Sequence, residues 1–243
     1  MHINIKNVLE REISPGVVER ELLKRSSTTP GGLAVHHYIL NEGEITFGEH
    51  NVEYQHYIIS GCGRMGGKLI HGETAIFVPG NQRWGETHKH RISHAGEGEL
   101  RIVTASYKSE RSNFRWAKTR TRNLYQTTAS ISNIINQQLF TEEEHAVMGA
   151  LRMHAIDVQT HPPLSNNPEH KNPEEIMYIL RGTGEAVSGE NRYFVEPGSL
   201  IYSKEGDLHG IYNNSDKYSL QYFVLEFIEH DKMWIERGLK TKK

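Results

Sequence analysis

The residues with the most chemical reach lie between His170 and Asn213. His170 is followed five residues on by Glu175, then by the turn Tyr178-Ile179-Leu180-Arg181-Gly182-Thr183-Gly184, by Pro197-Gly198, and by Gly206-Asp207-Leu208-His209. Neutral imidazole nitrogen and carboxylate oxygen are the ligands that Fe, Mn, Ni and Zn ions accept. Two histidines and one carboxylate leave two or three coordination positions for water, substrate or oxygen. His161, before the loop Pro162–Pro168, has the plain reading of a surface histidine at a strand end. Tyr178, Tyr202 and Tyr212 could orient ligands or substrate in a catalytic role, and for at least one of them aromatic core packing is the simpler reading.

Such side chains meet only if neighbouring elements aim them at one point, and the chain reads as short strands throughout. Runs such as Ala34–Leu40, Thr74–Val78, Leu100–Ala105, Met148–Val158, Leu200–Ser203 and Tyr218–Phe227 are rich in β-branched and aromatic residues and are cut by Gly, Pro and Asn. The pattern predicts an all-β sandwich or barrel. It also repeats. Tyr57-Ile58-Ile59-Ser60-Gly61-Cys62-Gly63 reads like Tyr178–Gly184, half a chain later, and each is followed by a Gly-led strand. A period of half the chain means two copies of one domain. Gly61 and Gly182 suit tight hairpins with positive φ. Ile131, Ile134, Ile135 and Leu139 follow helical spacing, which predicts a short linker helix over 130–140. The two domains are expected at 1–125 and 126–243, with a terminal helix over 231–243.

With these residues in view the chain resembles a bicupin, a duplicated member of the cupin superfamily. That family's first motif is G-x5-H-x-H-x3–4-E-x6-G and its second G-x5-P-x-G-x2-H-x3-N. Glu175 and Gly182 fall on the first in register, with His170 at the second histidine. Gly198, Gly206, His209 and Asn213 fall on the second, with Lys204 in place of its proline. Pro168 stands where the family has its first histidine. The resemblance implies two tandem double-stranded β-helix (jelly-roll) barrels and one divalent transition metal in the C-terminal one. His170, Glu175 and His209 would hold it, with His161 standing in for the missing histidine.

The N-terminal copy keeps the fold signals without the ligands. Counting from Gly61 places Glu49 at the His170 position, Tyr54 at the Glu175 position, and Arg83 or Trp84 at the His209 position. This barrel reads as structural, or as binding part of a ligand through Arg83 and Trp84, with His50, Glu53 and His56 close enough for an alternative site. His88–His94 reads as a solvated loop. The stretch 108–122 carries six cations around Phe114 and Trp116; arginine stems covering a connection explain it better than nucleic acid does, because the rest of the chain is not basic.

Lys plus Arg (28) nearly balance Asp plus Glu (30), so no net charge draws the chain to polyanions. Cys62 is the sole cysteine, which fits a reducing cytoplasm. No run of 18 apolar residues predicts a membrane span. Nucleotide and nucleophile-elbow motifs are absent. The expected function is that of a metal-dependent enzyme, a dioxygenase or a Lewis-acid hydrolase, isomerase or lyase, acting on a small polar substrate, with a carboxylate among the candidates. The alternative is a non-catalytic bicupin that binds or stores a small molecule. A homodimer is compatible with either.

Overall fold

Alternating β-branched and aromatic residues between glycine and asparagine turns leave little for helices to use, and a computed structural model is strands nearly throughout. It describes residues 1–25, 33–49, 52–80, 89–108, 119–140, 153–171 and 174–227. In the first half of the chain the strands are β1 (His2–Asn4), β2 (Arg11–Ser14), β3 (Val17–Leu23), β4 (Leu33–Leu40), β5 (Glu44–Phe47), β6 (Val52–Ser60), β7 (Cys62–Met65), β8 (Lys68–His71), β9 (Thr74–Val78), β10 (His90–His94) and β11 (Leu100–Lys108). The second half has β12 (Arg120–Asn123), β13 (Ala129–Ile131), β14 (Ile135–Phe140), β15 (Met153–His161), β16 (Asn166–Lys171), β17 (Glu174–Arg181), β18 (Gly184–Ser188), β19 (Asn191–Val195), β20 (Ser199–Ser203), β21 (Leu208–Tyr212) and β22 (Leu220–Phe227). Among the described residues the only helical pieces are the 3₁₀ turns Ile5–Asn7 and Leu124–Gln126.

The strands form two compact units. One is built on residues 7–126, the other on Met1–Lys6 and the described residues from Thr127 on. Their sheets have the same order. The first unit has a seven-stranded sheet β12-β9-β6-β11-β4-β3-β2 and a four-stranded sheet β5-β10-β7-β8. The second has β1-β20-β17-β22-β15-β14-β13 and β16-β21-β18-β19. Each pair of sheets closes over its own apolar interior in jelly-roll fashion. Val17, Leu40, Ile58, Ile76, Ile92 and Ile102 pack in the first; Met177, Ile179, Ile201, Ile211, Tyr222 and Val224 pack in the second. A division at half-chain misplaces β1, which pairs with β20 through His2↔Ile201 and Asn4↔Ser199.

The hairpin glycines behave as their positions demand. Gly61 has φ +86° and Gly182 φ +77°, and a Cβ would stand 2.3 Å from Glu99 O in the first and 2.2 Å from Ser219 O in the second. Both the dihedral and the close backbone approach exclude a side chain. The linker helix, by contrast, is absent: β13 and β14 make a hairpin there, with Ala129↔Gln137 and Ile131↔Ile135 in register. The apolar spacing over 131–139 is coincidental. Ile131 is exposed, whereas Leu139 and Phe140 are buried on β14, which pairs with β15. Ile, Asn and Ser give a helix little intrinsic support, so ladder hydrogen bonds to β15 decide the outcome. The expected terminal helix over 231–243 lies outside the described residues.

Candidate metal centre

Three strands of the second unit bring the predicted ligands together. His170 on β16 lies opposite His209 on β21, and Glu175 enters β17 with Ser203 and Glu226 as its neighbours on the flanking strands. One ligand atom from each of His170, Glu175 and His209 lies within 4.8 Å of the others. The imidazole centroids are 4.7 Å apart, and His209 Nε2 is 3.3 Å from Glu175 Oε2.

The histidine tautomers are set by backbone. Nδ1 of His170 donates to the Pro168 carbonyl at 2.8 Å, and Nδ1 of His209 donates to the Asp207 carbonyl at 2.9 Å. Each bond is to the residue two positions earlier, and each leaves Nε2 with its lone pair. His209 Nε2 is buried, and its contact with Glu175 Oε2 at 3.3 Å falls outside hydrogen-bond geometry. A buried polar nitrogen without a partner costs about 1–3 kcal/mol unless something else satisfies it. Histidines that hold metals are oriented in this way, one nitrogen on a carbonyl and the other on the ion. The donor set therefore fits a divalent metal. Burial pulls the His209 imidazole down, but the Glu175 carboxylate and the Asp207 carbonyl outweigh it and the pKa stands above the ordinary value.

His161 is not in this group. It is buried at the end of β15, and its Nε2 lies 3.1 Å from Tyr222 Oη. Burial pulls its pKa down to about 4, so it is neutral. Neither a surface position nor a place among the gathered ligands describes it. The three tyrosines are elsewhere too. Met177, Ile179, Ile201 and Ile211 face the interior, and strand alternation sends Tyr178, Tyr202 and Tyr212 to the opposite face. Tyr202 Oη donates to Glu174 Oε1 at 2.6 Å. Tyr212 Oη donates to Glu169 Oε1, with the Arg192 guanidinium 5.5 Å over its ring.

The interior instead holds groups that motif reading passed over. Asp157 and Glu226 share the face of Val224 and Glu175 through the β15–β22–β17 ladders. Burial, then the Glu175 and Asp157 carboxylates, push Glu226 up to about 8. Burial pushes Asp157 up to about 6 against a hydrogen bond from Asn136 Nδ2. Tyr222 Oη donates to Gln159 Oε1 at 2.6 Å. The signal was available in Leu220-Gln221-Tyr222-Phe223-Val224-Leu225-Glu226, where Tyr222 and Glu226 keep the phase of interior Leu220 and Val224.

The same ladders place the N-terminal equivalents. Ile92 pairs with Met65 as Ile211 pairs with Ala186, which aligns His90 with His209. His90 faces Phe47 as His209 faces His170. Phe47, not Glu49, therefore takes the His170 position, and His90, not Arg83 or Trp84, takes that of His209. Tyr54 does stand at the Glu175 position. The segment 90–94 is strand β10, not a loop, because Ile92 is an interior residue. Rings fill the space of the metal ligands: Phe47 lies 4.6 Å from His56 and 5.1 Å from His90 by centroids. His56 is fully buried between Thr104 Oγ1 at 2.9 Å and His90 Nε2 at 2.7 Å. His50, Arg83, Trp84, His88 and residues 109–118 of the basic stretch lie outside the described residues.

Residues 157–226 match a sequence family described as the cupin domain, and this segment contains all three gathered ligands. The segment 157–226 is thus similar in sequence to a cupin domain. Cupin-like solved structures share its fold over nearly its full length. Protein Ylba from E. coli has a TM-score of 0.72 at 15% identity, covering 93% of this chain and 89% of that one. A putative glyoxylate-induced protein from Pseudomonas aeruginosa has a TM-score of 0.72 at 11% identity, covering 93% and 87%. A variant of oxalate decarboxylase from Bacillus subtilis has a TM-score of 0.71 at 14% identity, covering 95% and 78%. No curated protein matches the chain in sequence. No helix among the described residues is long and apolar enough to cross a membrane.

Proposed function

We propose that the chain is a bicupin enzyme whose C-terminal domain holds one divalent transition metal on His170, Glu175 and His209 and acts on a small polar substrate, best a carboxylate. The observation that carries this reading is the pair of Nδ1-to-carbonyl bonds, which bare two Nε2 atoms toward one carboxylate. When bound, the ion would supply Lewis acidity or a place for oxygen beside the substrate. The chain's own residues do the rest. The strands of the two sheets keep the site under cover, with His209 and Glu175 buried. Glu226, which burial and the Glu175 and Asp157 carboxylates push up to about 8 before an ion binds, lies next to Glu175 across the β17–β22 ladder. Tyr222 and His161 form a bonded pair within the same interior.

The oxalate decarboxylase of similar fold has Mn(II) centres, which makes manganese the first metal to test, before iron, nickel and zinc. Elemental analysis of protein expressed with all four metals should find about one ion per chain in wild type and almost none in His209→Ala. Wild type without metal would sink the proposal. Turnover of oxalate or another small carboxylate by wild type, with none by His209→Ala, separates an enzyme from a cupin that only binds.

A further inference from the structure

The N-terminal jelly roll has lost the ligands but kept a chamber. A cavity of about 380 Å³ opens among Glu19, Tyr38, Phe47, Glu49, Tyr54 and Lys89, within the range of small-molecule sites. Phe47 and Tyr54, which take the places of His170 and Glu175, form its aromatic wall with Tyr38. Tyr38 meets Phe47 edge-on at 5.6 Å, and Phe47 lies 5.5 Å from Tyr54. Tyr38 Oη donates to Glu19 Oε1 at 3.2 Å, and Glu19 Oε2 is paired with the Arg11 guanidinium, so Oε1 is the oxygen on the Tyr38 side. A phenol bonded to a carboxylate has an electron-rich ring face, and such faces attract cations. His36, stacked on Tyr38, adds no opposing charge at neutral pH, because burial outweighs Glu19 and Glu21 and lowers its pKa.

Beside Gly48 and Glu49 the lining also carries a cation, Lys89. The stem of Lys89 lies on Gly48, where a Cβ would come within 2.8 Å of Lys89 Cγ. Lys89 is exposed and makes no ion pair among the described residues. Arg25 stands behind, bonded to Ser106 Oγ at 3.0 Å and 3.9 Å from Glu49. Tyr54 Oη accepts the Glu49 N–H, so its own proton is available to an acceptor in the chamber.

We infer that this chamber binds a small zwitterion, an ammonium carboxylate, with its cation against Tyr38, Phe47, Tyr54 and Glu19 and its carboxylate at Lys89. Betaines and free amino acids share that chemistry.

Calorimetric titration of the whole protein in the His209→Ala background tests this independently of the metal proposal. The probes are glycine betaine and L-alanine, with choline and acetate as the half-ligands. One of the zwitterions should bind at least about tenfold more tightly than either half, and which one binds identifies the source. Glu19→Gln and Lys89→Ala should each weaken it roughly tenfold. Lys89 is at the surface, so its variant stays informative if Glu19→Gln loosens the Tyr38 bond. Failure of both zwitterions to bind below about 10 mM overturns the inference. So does choline or acetate binding as tightly, or affinity unmoved by Lys89→Ala.

Discussion

At His209 one nitrogen is committed and the other is not. Nδ1 is held by the Asp207 carbonyl, and Nε2 faces Glu175. A proton on Nε2 would satisfy the carboxylate as a metal does, so proton and metal compete. The raised pKa of His209 favours the proton as pH falls. Metal affinity should therefore drop from about pH 8 to about pH 5.5. Equilibrium dialysis with Mn(II) measures it, and a flat profile would contradict direct ligation by His209. His161 makes the contrasting case. With Nε2 turned to Tyr222, His161→Ala should leave metal content unchanged while lowering stability by roughly 2 kcal/mol, through the lost contact and the space left behind. Loss of metal in that variant would return His161 to the ligand set. Residue types made His170, Glu175 and His209 legible; their spacing could not say which way Tyr178, Tyr202 and Tyr212 point. That depends on the phase of each strand, and one residue of phase reverses every side chain.

At the scale of elements, the ladders carry what residue counting along the chain loses. Counting from Gly61 reached Tyr54 correctly because β6 runs without interruption from Tyr54 to Ser60, the residue before Gly61. It missed Phe47 and His90 because the count crossed connections whose lengths differ between the copies. Pairing does not depend on those lengths: His90↔Phe47 and His209↔His170 are the same rung. The hairpin β13–β14 was hidden for a related reason. Asn136 and Gln138 are polar residues on an inward strand face, so no apolar alternation marks them. Equivalence of the rungs makes a gain-of-function test. Phe47→His with Tyr54→Glu, keeping native His90, rebuilds the donor set in the N-terminal unit. The double variant should bind close to two metal ions per chain, measured by elemental analysis after circular dichroism confirms folding. A folded variant still holding one ion would mean that His56, bonded to His90, keeps that imidazole from a metal.

Across the whole molecule, His37 on β4 and Glu226 on β22 are ionisable groups of opposite kind held out of water, one in each unit, and local stability at the two strands should respond oppositely to pH. In the N-terminal unit His37 is buried on β4, and burial, then Arg20 and Arg101, lower its pKa to about 3. Between that value and the ordinary 6.5 the unfolded chain binds a proton that the folded unit refuses. Its stability therefore rises with pH through this window and is lost on acidification. In the metal-free C-terminal unit the sign reverses. Glu226, raised to about 8 from 4.5, holds a proton when folded that the unfolded chain releases, so stability falls as pH rises through that window. Asp157, raised to about 6, adds to the loss over the lower part of it, whereas His161, lowered to about 4, opposes it below about pH 6.5, so the fall is read above that pH. Hydrogen exchange read by mass spectrometry can follow β4 and β22 separately in one sample. With metal chelated, protection of β4 should increase from about pH 4 to about pH 6.5, and protection of β22 should decrease from about pH 6.5 to about pH 8 after correction for intrinsic exchange. A bound divalent ion places positive charge beside Glu175 and Glu226, favours both carboxylates, and should flatten or reverse the β22 profile alone. If the β22 profile is unchanged by metal, the ion does not sit among these carboxylates.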